Sequence, residues 1–310
     1  MKKDFEDMER KNNSAIMHIY QRSVGKFIIF YTVSDFLVYF TLVCVASRKH
    51  KVRVLALSPM FDHIHQMIEI NNESDLPSFE RDVLGGYSKA FNKSIESSGS
   101  VFEPRFGRAV KTGQKKIRTT ASYVANNAVE KSLCKTAESY RWTFLAYAVS
   151  SHPFSEKIDL SKASRPLRRA LKEVDYCRSE DKVLNYKQLE RWFEPLAKKE
   201  RNQLTDYIIS KYNCIDYDRL ISFYGSYEKM CLAFASNQGS EFDINEEFEK
   251  GGHMVYYRIS AALVKLHSFP NVKDVLKLSV SQRVEVMNEL LYETDAEQWQ
   301  LMKYLHLKKG

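Results

Sequence analysis

Cysteine is sparse and scattered in this chain. Cys44, Cys134, Cys177, Cys214 and Cys231 include no CxxC pair and make an odd total. That argues against a disulfide framework and a structural zinc site, and it fits a reducing cytoplasm. The opening MKKDFEDMERKNN is too charged for a secretory signal. No apolar run is long and unbroken enough for a membrane span. The most apolar window, residues 27–46, is interrupted by Thr32, Ser34, Asp35 and Thr41. It reads as a strand, an N-cap at Ser34 and a helix. Internal repeats and low-complexity tracts are also absent.

What is present is an ordinary folded composition. The 310 residues are 44% hydrophobic and 28% charged, enough for a sizeable core and for two domains. The net charge of +8 leans towards an anionic partner, with nucleic acid the commonest.

The first half alternates strand-like and helix-like segments. Residues 15–21 and 26–32 are β-rich, a helical spacing runs from Ser34 to Cys44, and 51–58 and 63–70 read as strands. Residues 75–94 read as one helix in spite of Gly85-Gly86. A short extended piece, 103–111, leads into a helix over 114–128. This predicts an α+β fold, a small sandwich with a mainly antiparallel sheet, over residues 1–150. Beyond Pro153 only helices are evident, so residues 151–310 are expected to form an all-α domain. Its end carries a capping box at Ser279-Val280-Ser281-Gln282 and a second helix over 296–305, the outline of a helix-turn-helix or of any αα-hairpin.

The candidate chemistry starts in MFDHIHQM. Side chains two apart in a strand share a face, so His63 and His65 point the same way and can hold one divalent metal. A bare pair of histidines is equally at home in a hydrogen-bonded interior, and it leaves a metal site incomplete. The helix over 114–128 carries Tyr123 and Asn127 one turn apart, a phenol and an amide oxygen on one face. An amide oxygen suits magnesium or manganese, and a phenol beside a metal-held phosphate can act as nucleophile. The plain alternative is an interior tyrosine and a helix-terminating asparagine.

These motifs together resemble the HUH-type single-tyrosine transposases of insertion sequences, in particular the REP-associated tyrosine transposases. His63-Ile64-His65 is similar to the His-hydrophobe-His motif. The run Tyr-Val-Ala-Asn-Asn-Ala-Val from Tyr123 resembles the nucleophile helix. GYSKAFNK (86–93), FEPRFGRAV (102–110) and TAESYRWTFLAY (136–147) resemble the segments between and after them, so the likeness spans about residues 15–148. The chain departs at Phe61-Asp62, where Pro-Asn is usual, at Ala128 for proline, and at Glu130 for a basic residue.

The resemblance implies a ferredoxin-like HUH fold and a transposase that cleaves and rejoins single-stranded DNA through a 5′-phosphotyrosine. By the same resemblance Tyr123 is the nucleophile. His63, His65 and Asn127 are the ligands of Mg2+ or Mn2+, and the protein is a homodimer acting on single-stranded or hairpin DNA beside the nucleoid. Tyr20 and Tyr31 precede the histidine pair, as relaxase nucleophiles do, but sit in strand-like contexts. Tyr87 and Tyr140 read as packing residues.

Basic residues supply an expected DNA grip. Arg105, Arg108, Lys111, Lys115, Lys116 and Arg118 occur with no acid among them just before and within the Tyr123 helix. Phe102 and Phe106 are candidates for base stacking or for the core. A second run, Lys162, Arg165, Arg168, Arg169 and Lys172, opens the helical half. The rival reading is a transposase-derived protein that binds hairpin DNA without cutting it. A two-histidine phosphoesterase would need a second His-x-Thr/Ser motif, and none accompanies His18, His50, His152, His253, His267 or His306.

Overall fold

The computed structural model describes residues 14–236 and 252–308. Asn237-Gln238-Gly239-Ser240 and Gly251, loop-forming by sequence, lie outside these residues. Four strands, β1 (Ala15–Arg22), β2 (Arg53–Pro59), β3 (His63–Ile70) and β4 (Gly107–Lys111), form one sheet in the order β2-β3-β1-β4. All neighbouring pairs are antiparallel. The period-2 alternation divides their side chains between two cores. Met17, Ile19, Ile64 and Ile68 join the core of helix α1 (Val33–Lys49), whereas Ile16, Leu55 and Met67 pack with Ile117, Ala121 and Val124 of another helix, Gln114–Glu130. β3 is therefore buried at all eight positions. This is the expected ferredoxin-like α+β sandwich with an antiparallel sheet.

Residues 26–32 correct the sequence reading, because no strand forms there. A short 3-10 turn, Val24–Lys26, precedes an extended but unpaired segment. Its backbone groups find other partners. Ile28 N–H donates to the Lys303 carbonyl at 3.2 Å, and the His306 ring meets the Ile28 carbonyl at 2.7 Å. Ile29 and Phe30 N–H both donate to the Phe61 carbonyl. The β-rich composition reflects burial, and partners from the far end of the chain replace a ladder.

The start of α1 also shifts. Thr32, not Ser34, is its N-cap, because Asp35 at N3 closes a capping box with it. The expected helix over 75–94 is continuous in direction but changes winding. α2 (Asp75–Glu80) passes through a π turn at Arg81–Gly85 into α3 (Gly86–Ser94). The second glycine has a packing reason: a Cβ on Gly86 would lie 2.7 Å from Leu42 Cδ2 of α1.

Glu80, at the end of α2, is 1% exposed and accepts from Gln66 Nε2 at 3.1 Å. Burial pushes its carboxyl up to about 8 from an ordinary 4.5. The folded state then holds a proton that the unfolded chain releases, so stability falls as pH rises from about 4.5 to about 8. Chemical denaturation at pH 5, 6.5 and 8 should show this decline in the wild type. Glu80→Gln removes that component and should be the more stable protein at pH 8.

After the helix Gln114–Glu130, here α4, the described chain is helical. α5 (Arg165–Ser179), α6 (Tyr186–Phe193) and α7 (Lys198–Tyr212) stack beyond α1. α8 (Tyr217–Ser222) and α9 (Tyr227–Ser236) lie beside α4 on the opposite face, where Arg219 pairs with Glu69 of β3 at 3.0 Å and Asn126 donates to the Phe234 carbonyl. α10 (Met254–His267), α11 (Val280–Glu293) and α12 (Gln298–Tyr304) complete the fold. Ser279 and Gln282 form the expected capping box of α11. α12 buries Gln300, Leu301, Lys303 and Tyr304, and its end covers residues 27–31. Among the described residues no helix is long and apolar enough to cross a membrane.

Candidate active site

The register of β1 on β3 builds the floor of the site. Tyr20 pairs with His65 and Arg22 with His63, so His18, Tyr20, His63 and His65 share the face that α4 covers. α4 starts after Gly113, whose φ of +79° suits glycine, and brings Tyr123 and Asn127 down onto the histidines. The Tyr123 ring packs edge-on against His65 with centroids 5.2 Å apart and against His18 at 5.7 Å. Asn127 Oδ1 lies 3.2 Å from His63 Nε2. All four residues singled out in the sequence, His63, His65, Tyr123 and Asn127, thus meet in one place, and all are buried.

Each histidine is held through its other ring nitrogen. His63 Nδ1 lies 2.6 Å from Asp62 Oδ1, and His65 Nδ1 lies 3.0 Å from His18 Nε2. Carboxylate partners of this kind set the tautomer and raise the basicity of the remaining nitrogen. Burial works against ionisation of Asp62, yet the hydrogen bond with His63 and the nearby ammonium of Lys303 hold its carboxyl well below the usual range. Lys303 Nζ stands 3.6 Å from Asp62 Oδ2. Burial also pulls His253 down to about 4, against the attraction of Asp62, so it is neutral in this wall at pH 7.

The donor set fits a divalent cation. With Nδ1–H of His63 committed to a carboxylate, its Nε2 and Asn127 Oδ1 present two lone pairs to each other. Their 3.2 Å separation is close to the roughly 3 Å edge of an octahedron with metal–ligand bonds of about 2.1 Å. Two imidazoles and one amide oxygen favour manganese over magnesium within the hard divalent ions. Among the described residues no group of three His, Cys, Asp or Glu side chains is placed to hold a metal. Asn127 Oδ1 is the donor that could complete a set with the two imidazoles.

Sequence reasoning missed four contributors. His18 and Tyr20 arrive only through the β1–β3 register, and Tyr20 stacks on His65 with centroids 4.8 Å apart. Asp62 was noted only as a departure, and Lys303 comes from α12. Alternation of His18 and Tyr20 with Met17 and Ile19 was the one readable signal.

Five of the six basic residues expected to grip DNA lie at the surface. Arg105, Arg108, Lys115, Lys116 and Arg118 are exposed, and Arg118 also lies over the Tyr224 ring. Lys111, opposite Ile16 at the end of β4, is 3% exposed and does not belong to that surface. Lys116, Thr120, Tyr123 and Asn127 follow one stripe of α4, leading from the surface to the site. The basic residues of the second run, from Lys162 just before α5 to Lys172 within it, are all exposed.

Comparison with known proteins gives three results. A family model described as "Transposase IS200 like" matches residues 30–127, a stretch that holds both histidines, Tyr123 and, as its last residue, Asn127. No curated protein matches. A solved structure of a REP-associated tyrosine transposase bound to a REP hairpin is similar at 14% identity and a TM-score of 0.38. That similarity covers 49% of this chain and 92% of the other.

Proposed function

We propose that this chain, whose residues 30–127 match the IS200-like transposase family model, is a metal-dependent enzyme of that family that cuts and rejoins single-stranded DNA through Tyr123. The observation that carries the proposal is the convergence of His63 Nε2 and Asn127 Oδ1 at 3.2 Å beside the Tyr123 ring. A tyrosine packed against two histidines, above a carboxylate-anchored ligand pair, has a use in phosphoryl transfer that a plain core does not require.

In this reading His63, His65 and Asn127 hold Mg2+ or Mn2+. When bound, the cation polarises the scissile phosphate and offsets charge on its non-bridging oxygens. Asp62 and His18 orient the two ligand rings, and α4 fixes Tyr123 over them. Tyr123 Oη attacks phosphorus, the P–O3′ bond breaks, and the phenolic proton ends on the released 3′-hydroxyl. One phosphodiester replaces another, so rejoining needs no ATP. A free phenol, with a pKa of about 10, is a poor nucleophile at pH 7. The exposed stripe from Arg105 to Arg118 tracks the backbone phosphates. Residues 1–150 are the nuclease unit and 151–310 a helical brace. A homodimer acting on hairpin DNA in the cytoplasm belongs to the same reading.

The test uses end-labelled single-stranded hairpin DNA from the flanks of the gene, with manganese or with EDTA, and a denaturing gel. Wild type should give a covalent protein–DNA band with manganese and none with EDTA, and Tyr123→Phe should give none at all. Tight binding without any band would mark a non-catalytic hairpin binder instead.

A further inference from the structure

On the sheet face opposite the histidines, a cleft of about 410 Å³ opens between α2–α3 and residues 99–106. Its volume falls within the usual range of small-molecule sites, roughly 300–1,000 Å³. Both walls are preformed. The π turn Arg81–Gly85 makes one, and such turns recur where helices serve a ligand. The other is pinned four times: Asn92 donates to the Gly99 carbonyl, Val24 N–H to Val101, Glu103 N–H to Arg22, and Gln21 Nε2 to Glu103.

The lining specifies the ligand. Gln21 is 1% exposed, and its Nε2 is committed to the Arg22 and Glu103 carbonyls while its Oε1 has no hydrogen-bond partner. A buried acceptor without a partner costs about 1–3 kcal/mol, a debt that an incoming N–H would cancel. Phe102 and Phe106 add flat apolar surface. Glu80, which keeps its proton in this setting, adds no charge, and Glu103 offsets the lining's single cation, Arg81, so the cleft has no net positive charge to hold a phosphate or any other anion. The occupant is therefore neutral, flat and rich in N–H donors.

We infer that this cleft binds one unpaired nucleobase, whose exocyclic amino group donates to Gln21 Oε1. The inference rests on the DNA-processing reading above and adds a base-recognition site to it. The path between the two sites is short. Gln21 follows Tyr20, which stacks on His65, and beside them β4 begins at Gly107, where no side chain stands. The exposed Arg105 and Arg108 flank that edge and can hold the phosphates of a strand passing round it. Adenine, cytosine and guanine carry the required amino group on the ring edge; thymine's single donor, N3–H, is recessed between two carbonyl oxygens that would face Gln21 Oε1.

Fluorescence anisotropy at fixed salt tests this with the full chain and labelled 12-nucleotide oligo-dA, oligo-dC and oligo-dT. Wild type should bind oligo-dA and oligo-dC about tenfold more tightly than oligo-dT, the scale of one buried acceptor left unpaired. Ser100→Trp and Gly85→Leu fill the cleft from opposite walls, and a Cβ on Gly85 meets nothing within 4 Å. Either should bring the oligo-dA and oligo-dC affinities down to that of oligo-dT. Equal wild-type affinities, or a preference that survives in both variants, would overturn the inference while leaving the strand-transfer reading intact. Failure of all three oligonucleotides to bind would overturn both.

Discussion

Replacing His63 or His65 by alanine should lower metal-dependent DNA cleavage by roughly 10³-fold, since a cation at a scissile phosphate is worth several kcal/mol. The two variants should differ in a second readout, manganese affinity measured by calorimetry. His63 faces Asn127 at 3.2 Å and is anchored by Asp62, so on the proposed reading its loss removes one ligand and strands another. His65 leans on His18 and Tyr20, and its loss leaves the His63–Asn127 pair in place. His63→Ala should therefore bind manganese more weakly than His65→Ala, with both far below wild type. Equal affinity in wild type and both variants would show that these histidines hold no metal.

The second large effect is on stability. Lys273, 2% exposed, places its ammonium 2.6 Å from Asp35 Oδ1, 3.1 Å from Ser94 Oγ and over the Tyr186 ring. Asp35 also accepts from Tyr31 N–H, Thr32 N–H and the Tyr186 hydroxyl. This buried group ties the helical half to the N-cap of α1. Lys273→Met leaves the carboxylate without its counter-charge, at a cost of about 3–5 kcal/mol. For a chain of this size that lowers Tm by roughly 10 °C. Asp35→Ala should cost more, because it strands the ammonium and opens the α1 cap together. A Lys273→Met protein that melts within 2 °C of wild type, on the order of 1 kcal/mol or less, would show that the pair is dispensable.

How much of this was readable beforehand depends on where each element finds its partners. β3 begins at His63 and ends at Ile70 as the period-2 pattern required, and α4 extends the expected helix by two residues to Glu130. Both are decided locally. Residues 26–32 are not. Their hydrophobic, β-branched sequence matches a strand, but Lys303 and His306, nearly the whole chain away, take the hydrogen bonds a neighbouring strand would have supplied. The same holds at the site. His63, His65, Tyr123 and Asn127 are visible as spacings within one strand and one helix. His18 depends on a sheet register, and Lys303 on the docking of α12, which no local pattern encodes. Lys111 looked like its basic neighbours because inward and outward positions alternate on a strand whose phase depended on its pairing with β1.

The measurement that bears most directly on the central claim is the location of the covalent bond. Wild-type protein would be reacted with a single-stranded hairpin and manganese, digested with nuclease and trypsin, and the peptides mapped by mass spectrometry. The account predicts a nucleotide phosphate on Tyr123 and on no other tyrosine. A modified Tyr20, Tyr31 or any residue other than Tyr123 would contradict it, as would cleaved DNA with no modified peptide.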